Sequence, residues 1–245
     1  NVLPINVAVH GCVSRTVRDT SAFWRSMGFD FDASSESKAS TTKALRIGVY
    51  TKSGLTSDVH EDNQRAALDA AKLCENLGHH VDEIPCPAAG SLNDDFTLYW
   101  AMIGWLQVVG GKVLVHRNFD TQNVEPWTKE LGRYFRRQPI EAFQAIRRLR
   151  RFERDYAQLM QRYDVLVSPT MAAPPPKLGY LAPDVPAMTK MERLVAYCPF
   201  TFVQNVTGAP AISLPLGQSA EGLPLGVQFG GWASAPKFTQ AQARP

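Results

Sequence analysis

No stretch of this chain approaches the roughly 18 to 20 uninterrupted apolar residues that a membrane span needs, and the first residues lack the basic-then-apolar pattern of an export signal. Neither insertion nor export is expected, and a membrane is not an expected partner. Cysteine is scarce. Cys12, Cys74, Cys86 and Cys198 are widely scattered with no C-x-x-C pair, which fits neither a disulfide framework nor a zinc site. Reduced thiols in a cytoplasmic protein are the expectation. Strong charge of one sign is also missing. The 26 Lys and Arg against 23 Asp and Glu leave a net charge of +3, so nucleic acid is not an expected partner.

The familiar self-contained catalytic patterns are absent as well. There is no G-x-S-x-G elbow, no H-E-x-x-H, no G-x-x-x-x-G-K-[ST], and no G-x-G-x-x-G opening a helix after a strand. His10, His60, His79, His80 and His116 have no metal-ligand spacing, and nothing calls for a metal or cofactor. The arginine-rich segment from Arg147 to Arg154 reads as a solvated helix face before it reads as a binding surface.

What is present is a globular composition. A chain of 245 residues with 44% apolar and 10% aromatic residues can bury one substantial core or two small ones. It begins with Asn1 in the apolar run from Val2 to Val9, which looks like the inside of a protein and suggests that the natural N-terminus has been lost. Thr16 can cap a helix running to about Met27, with Asp19 three residues on. Ser, Thr and charge dominate 30–43, which is expected to be a flexible surface tether. Leu45 to Tyr50 reads as a strand, Asp58 to Leu77 as a helix ended by Gly78, and His79 to Ile84 as a second strand. Together they form a βαβ unit, about 45–84, in a sheet that is at least partly parallel.

The region of about 92–162 is mainly helical in pattern, with interruptions expected at Gly110-Gly111 and Pro126 and a break at Pro139. Its last helix carries an apolar stripe of Ile146, Leu149, Phe152, Tyr156 and Leu159. Asp164 to Ser168 is a short buried strand, the proline-rich stretch from Ala172 to Pro186 a long loop, and Ala211 to Leu216 and Leu225 to Phe229 a hairpin turned at Glu221-Gly222. Closing strands thus fill about 164–229, before a polar tail over 230–245.

Four segments in order carry a family resemblance. They are Gly11-Cys12-Val13-Ser14-Arg15-Thr16-Val17-Arg18-Asp19-Thr20, the strand–helix–strand unit built on LRIGVY and LGHHVDEIP, Tyr163-Asp164-Val165-Leu166-Val167-Ser168-Pro169-Thr170, and Asn205 to Gly217 followed by Glu221 to Gln228. Together, over about Pro4 to Phe229, they resemble the C-terminal part of the amidase signature family. The stretches Asp95 to Trp100 and Leu178 to Leu181 further resemble bacterial amidases acting on small or aryl amides. The resemblance implies an α/β fold with a mixed β-sheet flanked by α-helices, and one partial domain over 1–245.

It also implies a chemistry. Family members hydrolyse carboxamides with a Ser nucleophile activated through a second Ser, in a cis peptide, by a Lys whose pKa burial lowers towards the working pH. All three precede the segment that begins this chain, so no catalytic residue is assigned here. Ser14 belongs to a helix start, and Lys43 and Lys52 lie too late. The resemblance leaves pocket walls to this part. Tyr99 and Trp100 are candidates for the acyl or aryl side of a substrate pocket, against the plainer option of helix-core aromatics. Thr170 and Asn205 are candidates at strand ends, where open α/β sheets present side chains to a cleft, against the option of fixing turns.

The expected partner is a small-molecule amide, and a homodimer is left open. Two functions stay in play: part of an active amidase, or a non-catalytic amidase remnant serving as a ligand-binding or interaction module. The usual family helix after the last strand is replaced here by an unrelated tail, as a frameshift or truncation would produce. Exposed sheet edges would make the isolated chain poorly soluble or only partly folded.

Overall fold

The computed structural model describes Ile5, Val7 and residues 11–28, 44–54, 58–88 and 90–232. The expected tether at 30–43, most of the run from Val2 to Val9, and the tail beyond Trp232 lie outside the described residues. The elements run α1 (Val17–Ser26), β1 (Arg46–Val49), α2 (Glu61–Asn76), β2 (His80–Glu83), α3 (Leu92–Leu114), a 3-10 turn (Thr121–Asn123), α4 (Pro126–Arg136), α5 (Pro139–Leu159), β3 (Val165–Pro169), α6 (Ala187–Tyr197), α7 (Phe202–Thr207), β4 (Ala211–Gln218) and β5 (Pro224–Gly230).

The strands make one five-stranded sheet in the order β2-β1-β3-β5-β4. β1 is parallel to both β2 and β3, β5 is antiparallel to β3, and β4 is antiparallel to β5. The fold is therefore α/β with a mixed sheet flanked by helices, as the resemblance implies. Parallel pairing of β1 with β2 requires a crossover, and α2 supplies it.

Alanine decides how α2 sits. Ala66, Ala67, Ala70 and Ala71 give the helix a flat buried side that packs on Ile47, Val49, Val167, Leu225 and Val227. The fit is close enough that a Cβ at Gly217 of β4 would collide with Ala66. At its start, His60 accepts from the Asp62 amide through Nδ1 at 3.2 Å, in the role a Ser or Asp usually fills. The buried Asp62 carboxylate accepts from the Ala220 amide at 3.0 Å and pairs with Arg65, so the β4–β5 turn is tied to the head of the helix. That amide, with help from Arg65, holds the Asp62 carboxyl below its ordinary range.

Helix α3 differs from expectation. It runs unbroken through Gly110-Gly111, and the glycine serves the packing instead: the Phe119 ring lies where a Gly111 side chain would be. Pro126 and Pro139 each occupy the first turn of a helix, where the missing N–H costs nothing. In α5 the residues Ala142, Ala145, Ile146, Leu149, Phe152 and Tyr156 face the core. One arginine of this helix leaves the solvated face. Arg148 grips the buried Asp95 carboxylate of α3 with Nε at 2.9 and 3.0 Å and Nη2 at 2.6 Å, and also bonds Glu141. Helices α6 and α7 were not foreseen, because they are short and follow a proline-rich stretch.

Candidate functional site

The two faces of the sheet are built from different chemistry. Residues alternate along β3, so Val167 turns towards α2 while Ser168 turns the other way. The register places Ser168 beside Gln228 of β5, and Gln228 beside Ser213 of β4. Opposite α2 the sheet therefore carries a polar row, where the other face is apolar. Thr170, just past β3, hydrogen-bonds the Ser213 hydroxyl at 2.7 Å. A Cβ at Gly226 would come within 2.8 Å of both hydroxyl oxygens, so the glycine leaves the space this pair occupies.

Deeper along the row, the buried Gln228 side chain donates to Gln204 Oε1 at 3.0 Å, which joins β5 to α7. A Cβ at Gly230 would come within 2.6 Å of Gln204 Nε2, so this glycine too marks a close approach. The Tyr156 hydroxyl of α5 lies beside Gln204 without a well-formed hydrogen bond. Burial pushes the Tyr156 phenol up to about 12, against the opposing influence of Gln204. Tyr50, fully buried after β1, is pushed far above its ordinary value by burial, and Ser168 opposes the shift. Both phenols stay neutral near pH 7 and can donate but not act as bases. Burial likewise pushes the Cys86 and Cys198 thiols up, which keeps them protonated and unreactive.

The four residues singled out in the sequence fall into three places. Tyr99 is fully buried; its hydroxyl donates to the Ile5 carbonyl at 2.5 Å and accepts from the Ile5 amide at 2.9 Å. Asn205 donates to the Val7 carbonyl at 2.6 Å. These two side chains, from α3 and α7, thus hold the same piece of backbone ahead of α1. Trp100 is half-buried between Phe96 and Trp127, with ring centroids 5.9 and 5.5 Å away, and Phe96 continues to Phe202 of α7 at 5.6 Å. Thr170 stands apart at the sheet edge with Ser213. Sequence reasoning overlooked Ser213, Gln204 and Tyr50. Strand alternation around Ser213, and a lone polar residue in Leu225-Gly226-Val227-Gln228-Phe229, were the available signals.

Among the described residues the Thr170–Ser213 pair has no imidazole, amine or carboxylate bonded to it, so no nucleophile–base arrangement is formed there. No group of three or more metal-binding side chains occurs among them, and no described helix is long and apolar enough to cross a membrane. No cysteine is in a disulfide.

The mixed five-stranded sheet flanked by helices resembles that of solved amidase-signature structures. A 6-aminohexanoate cyclic dimer hydrolase superposes with a TM-score of 0.67 at 23% identity, over 79% of this chain and 42% of that one. A bacterial aryl acylamidase of the amidase signature family does so with a TM-score of 0.59 at 19% identity, over 80% and 42%. The sequence model of the amidase family matches residues 3–235, and the chain belongs to that family. A Mycobacterium bovis protein carrying the name amidase AmiC is 40% identical over 235 residues, which span 93% of this chain and 49% of that protein. The chain thus spans about half the length of the curated relatives it matches.

Proposed function

We propose that this chain is the C-terminal part of an amidase that hydrolyses a carboxamide C–N bond to a carboxylate and ammonia or an amine. The Ser–cis-Ser–Lys set would be carried by a segment preceding Asn1. The observation that supports this most is the amidase match across 3–235, on a chain whose Thr170–Ser213 hydroxyl pair has no base bonded to it among the described residues. In such an enzyme the Lys takes the proton of the nucleophile through the second Ser, and backbone N–H groups stabilise the oxyanion. This chain would contribute walls and anchors.

The anchors are Tyr99 and Asn205, which fix the backbone at Ile5 and Val7 and so orient whatever leads into it. Trp100, in its row of aromatic rings, would form an apolar wall for an acyl or aryl group. Thr170, with Ser213, would meet the substrate side at the rim of β4. That strand supports a partial-domain reading of 1–245. It is the last in the sheet, and Ile212 and Leu216 remain 38% and 41% exposed, a condition that favours further pairing. Small amides as substrates, a cytoplasmic setting and a homodimeric assembly belong to the same proposal.

The test is to join the chain to an upstream half taken from a full-length relative and to assay release of ammonia or amine across a panel of aliphatic and aryl amides. Hydrolysis by the joined form, absent from the 245-residue chain, is expected. A joined, folded protein inactive on every amide would refute the proposal.

A further inference from the structure

Helix α5 turns to solvent a face that its own fold leaves unanswered. Its core side takes Ala142, Ala145, Ile146, Leu149, Phe152 and Tyr156. The outer side carries Ile140, Phe143, Arg147, Arg151 and Arg154, which follow one another three or four residues apart and so form one row about 21 Å long. Ile140 and Phe143 are 74% and 65% exposed, and the three arginines are exposed as well.

The row itself contains no carboxylate. On α2 and α4, Arg65, Lys72 and Arg133 each have a carboxylate partner three residues away. On α5, Arg151 reaches Asp155 only at 3.9 Å, and among the described residues Arg147 and Arg154 form no ion pair. Arg148 is drawn out of the row by Asp95 and Glu141. Two large apolar side chains in water therefore lead directly into a run of cations with little to neutralise it.

That combination selects among anionic partners. A nucleic-acid backbone would take the arginines and leave Ile140 and Phe143 in water. A lipid surface holds a helix by a broad apolar face, and the broad apolar face of α5 is buried in the core. A second copy of the same face would set arginine against arginine. An acidic protein segment satisfies both halves: its carboxylates match the arginine fork, and its apolar side chains cover the other end. Exposed ion pairs alone add little, so Ile140 and Phe143 are the anchor and the arginines select the partner.

We propose that the outer face of α5, from Ile140 to Arg154, docks an acidic segment of another protein, with apolar side chains of that segment on Ile140 and Phe143 and its carboxylates on Arg147, Arg151 and Arg154. The proposal stands whether or not the chain takes part in amide hydrolysis.

The probe is a labelled peptide with two leucines followed by glutamates at helical spacing, compared with its glutamine counterpart by fluorescence anisotropy on the 245-residue chain. Saturable binding of the glutamate peptide is expected, at least ten times tighter than the glutamine peptide. Raising salt from about 0.1 to about 1 M, which shortens the screening length from about 10 to about 3 Å, should remove most of that preference. A photo-crosslinking form of the peptide should map to 140–154 of the unmodified chain, a readout that depends on no variant folding. Arg147→Glu combined with Arg154→Glu should weaken the glutamate peptide tenfold or more, Phe143→Ser should weaken both peptides, and Lys72→Gln on α2 should change neither. Equal binding of the two peptides, crosslinks outside α5, or no binding of either peptide overturns the proposal. So does tighter binding to phosphatidylserine–phosphatidylcholine vesicles or to a short DNA duplex than to the glutamate peptide, which would assign the face to a membrane or a nucleic acid.

Discussion

One face of the sheet is packed by a single apolar helix, and the other carries hydrogen-bonded polar side chains. The face against α2 is apolar, built from Ile47, Val49, Val167, Leu225 and Val227 on the alanines of the helix, with Phe229 and Cys74 at its margin. The opposite face carries Ser168, Gln228, Ser213 and the adjoining Thr170, spaced by Gly226 and Gly230 and met by Gln204 from α7. Polar groups in a protein interior cost stability unless each finds a partner, and the buried Ser168 and Gln228 each have one in the Pro169 carbonyl and Gln204. The contrast separates a side closed by apolar packing from a side organised by hydrogen bonds.

The contrast is most exposed to Val167→Asp, which puts a charge on the closed face. We expect a loss of about 4 kcal/mol or more, enough to prevent folding, in thermal or urea unfolding. The neighbouring Ser168→Ala, on the polar face, should cost about 1 to 2 kcal/mol, because it removes a buried hydroxyl that donates to the Pro169 carbonyl at 3.1 Å and faces Tyr50. Equal losses at the two positions would erase the distinction between the faces.

Next in size is Gly226→Ala. Its Cβ meets the Thr170 and Ser213 hydroxyls, so the pair must separate at a cost of about 1 to 3 kcal/mol. A crystal structure of the variant with the 2.7 Å bond intact would contradict the close approach. Tyr99→Phe removes both bonds to Ile5 and should cost about 1 to 2 kcal/mol, with faster amide exchange at Ile5 and Val7 than elsewhere. Unchanged protection at those amides would mean that the clamp does not hold.

The smallest effect is expected from Asp62→Asn, at the head of α2. The folded carboxyl titrates below its unfolded value of about 3.9, so its contribution is fully present above that pH and is lost as pH falls through the lowered folded value. The variant should therefore lose that contribution at pH 7, approach the parent protein as pH falls, and flatten the dependence of stability on pH below about 4. A parallel acid limb in the two proteins would show that Asp62 is not a source of it.

Much of the closed face was legible in the sequence. The alanines of α2 and the short apolar runs of β1, β3 and β5 are local patterns, and the structure uses them as local patterns. The polar face was less so. Thr170 and Asn205 were recognisable because they adjoin family motifs. The bond from Thr170 to Ser213 spans 43 residues and that from Tyr99 to Ile5 spans 94, separations over which no periodicity reports. Gly110-Gly111 misled for a related reason. Glycine was read as a helix interruption, whereas its small size admits a ring from the loop beyond.

The most direct measurement is active-site labelling with a fluorophosphonate, which phosphonylates activated serines, followed by peptide mapping. On the proposed account the 245-residue chain takes no stoichiometric label, and a form extended at its N-terminus takes one, at a serine outside 1–245. A stoichiometric label on Ser168, Ser213 or any other serine of this chain would contradict the claim that it supplies walls and anchors to a nucleophile carried elsewhere.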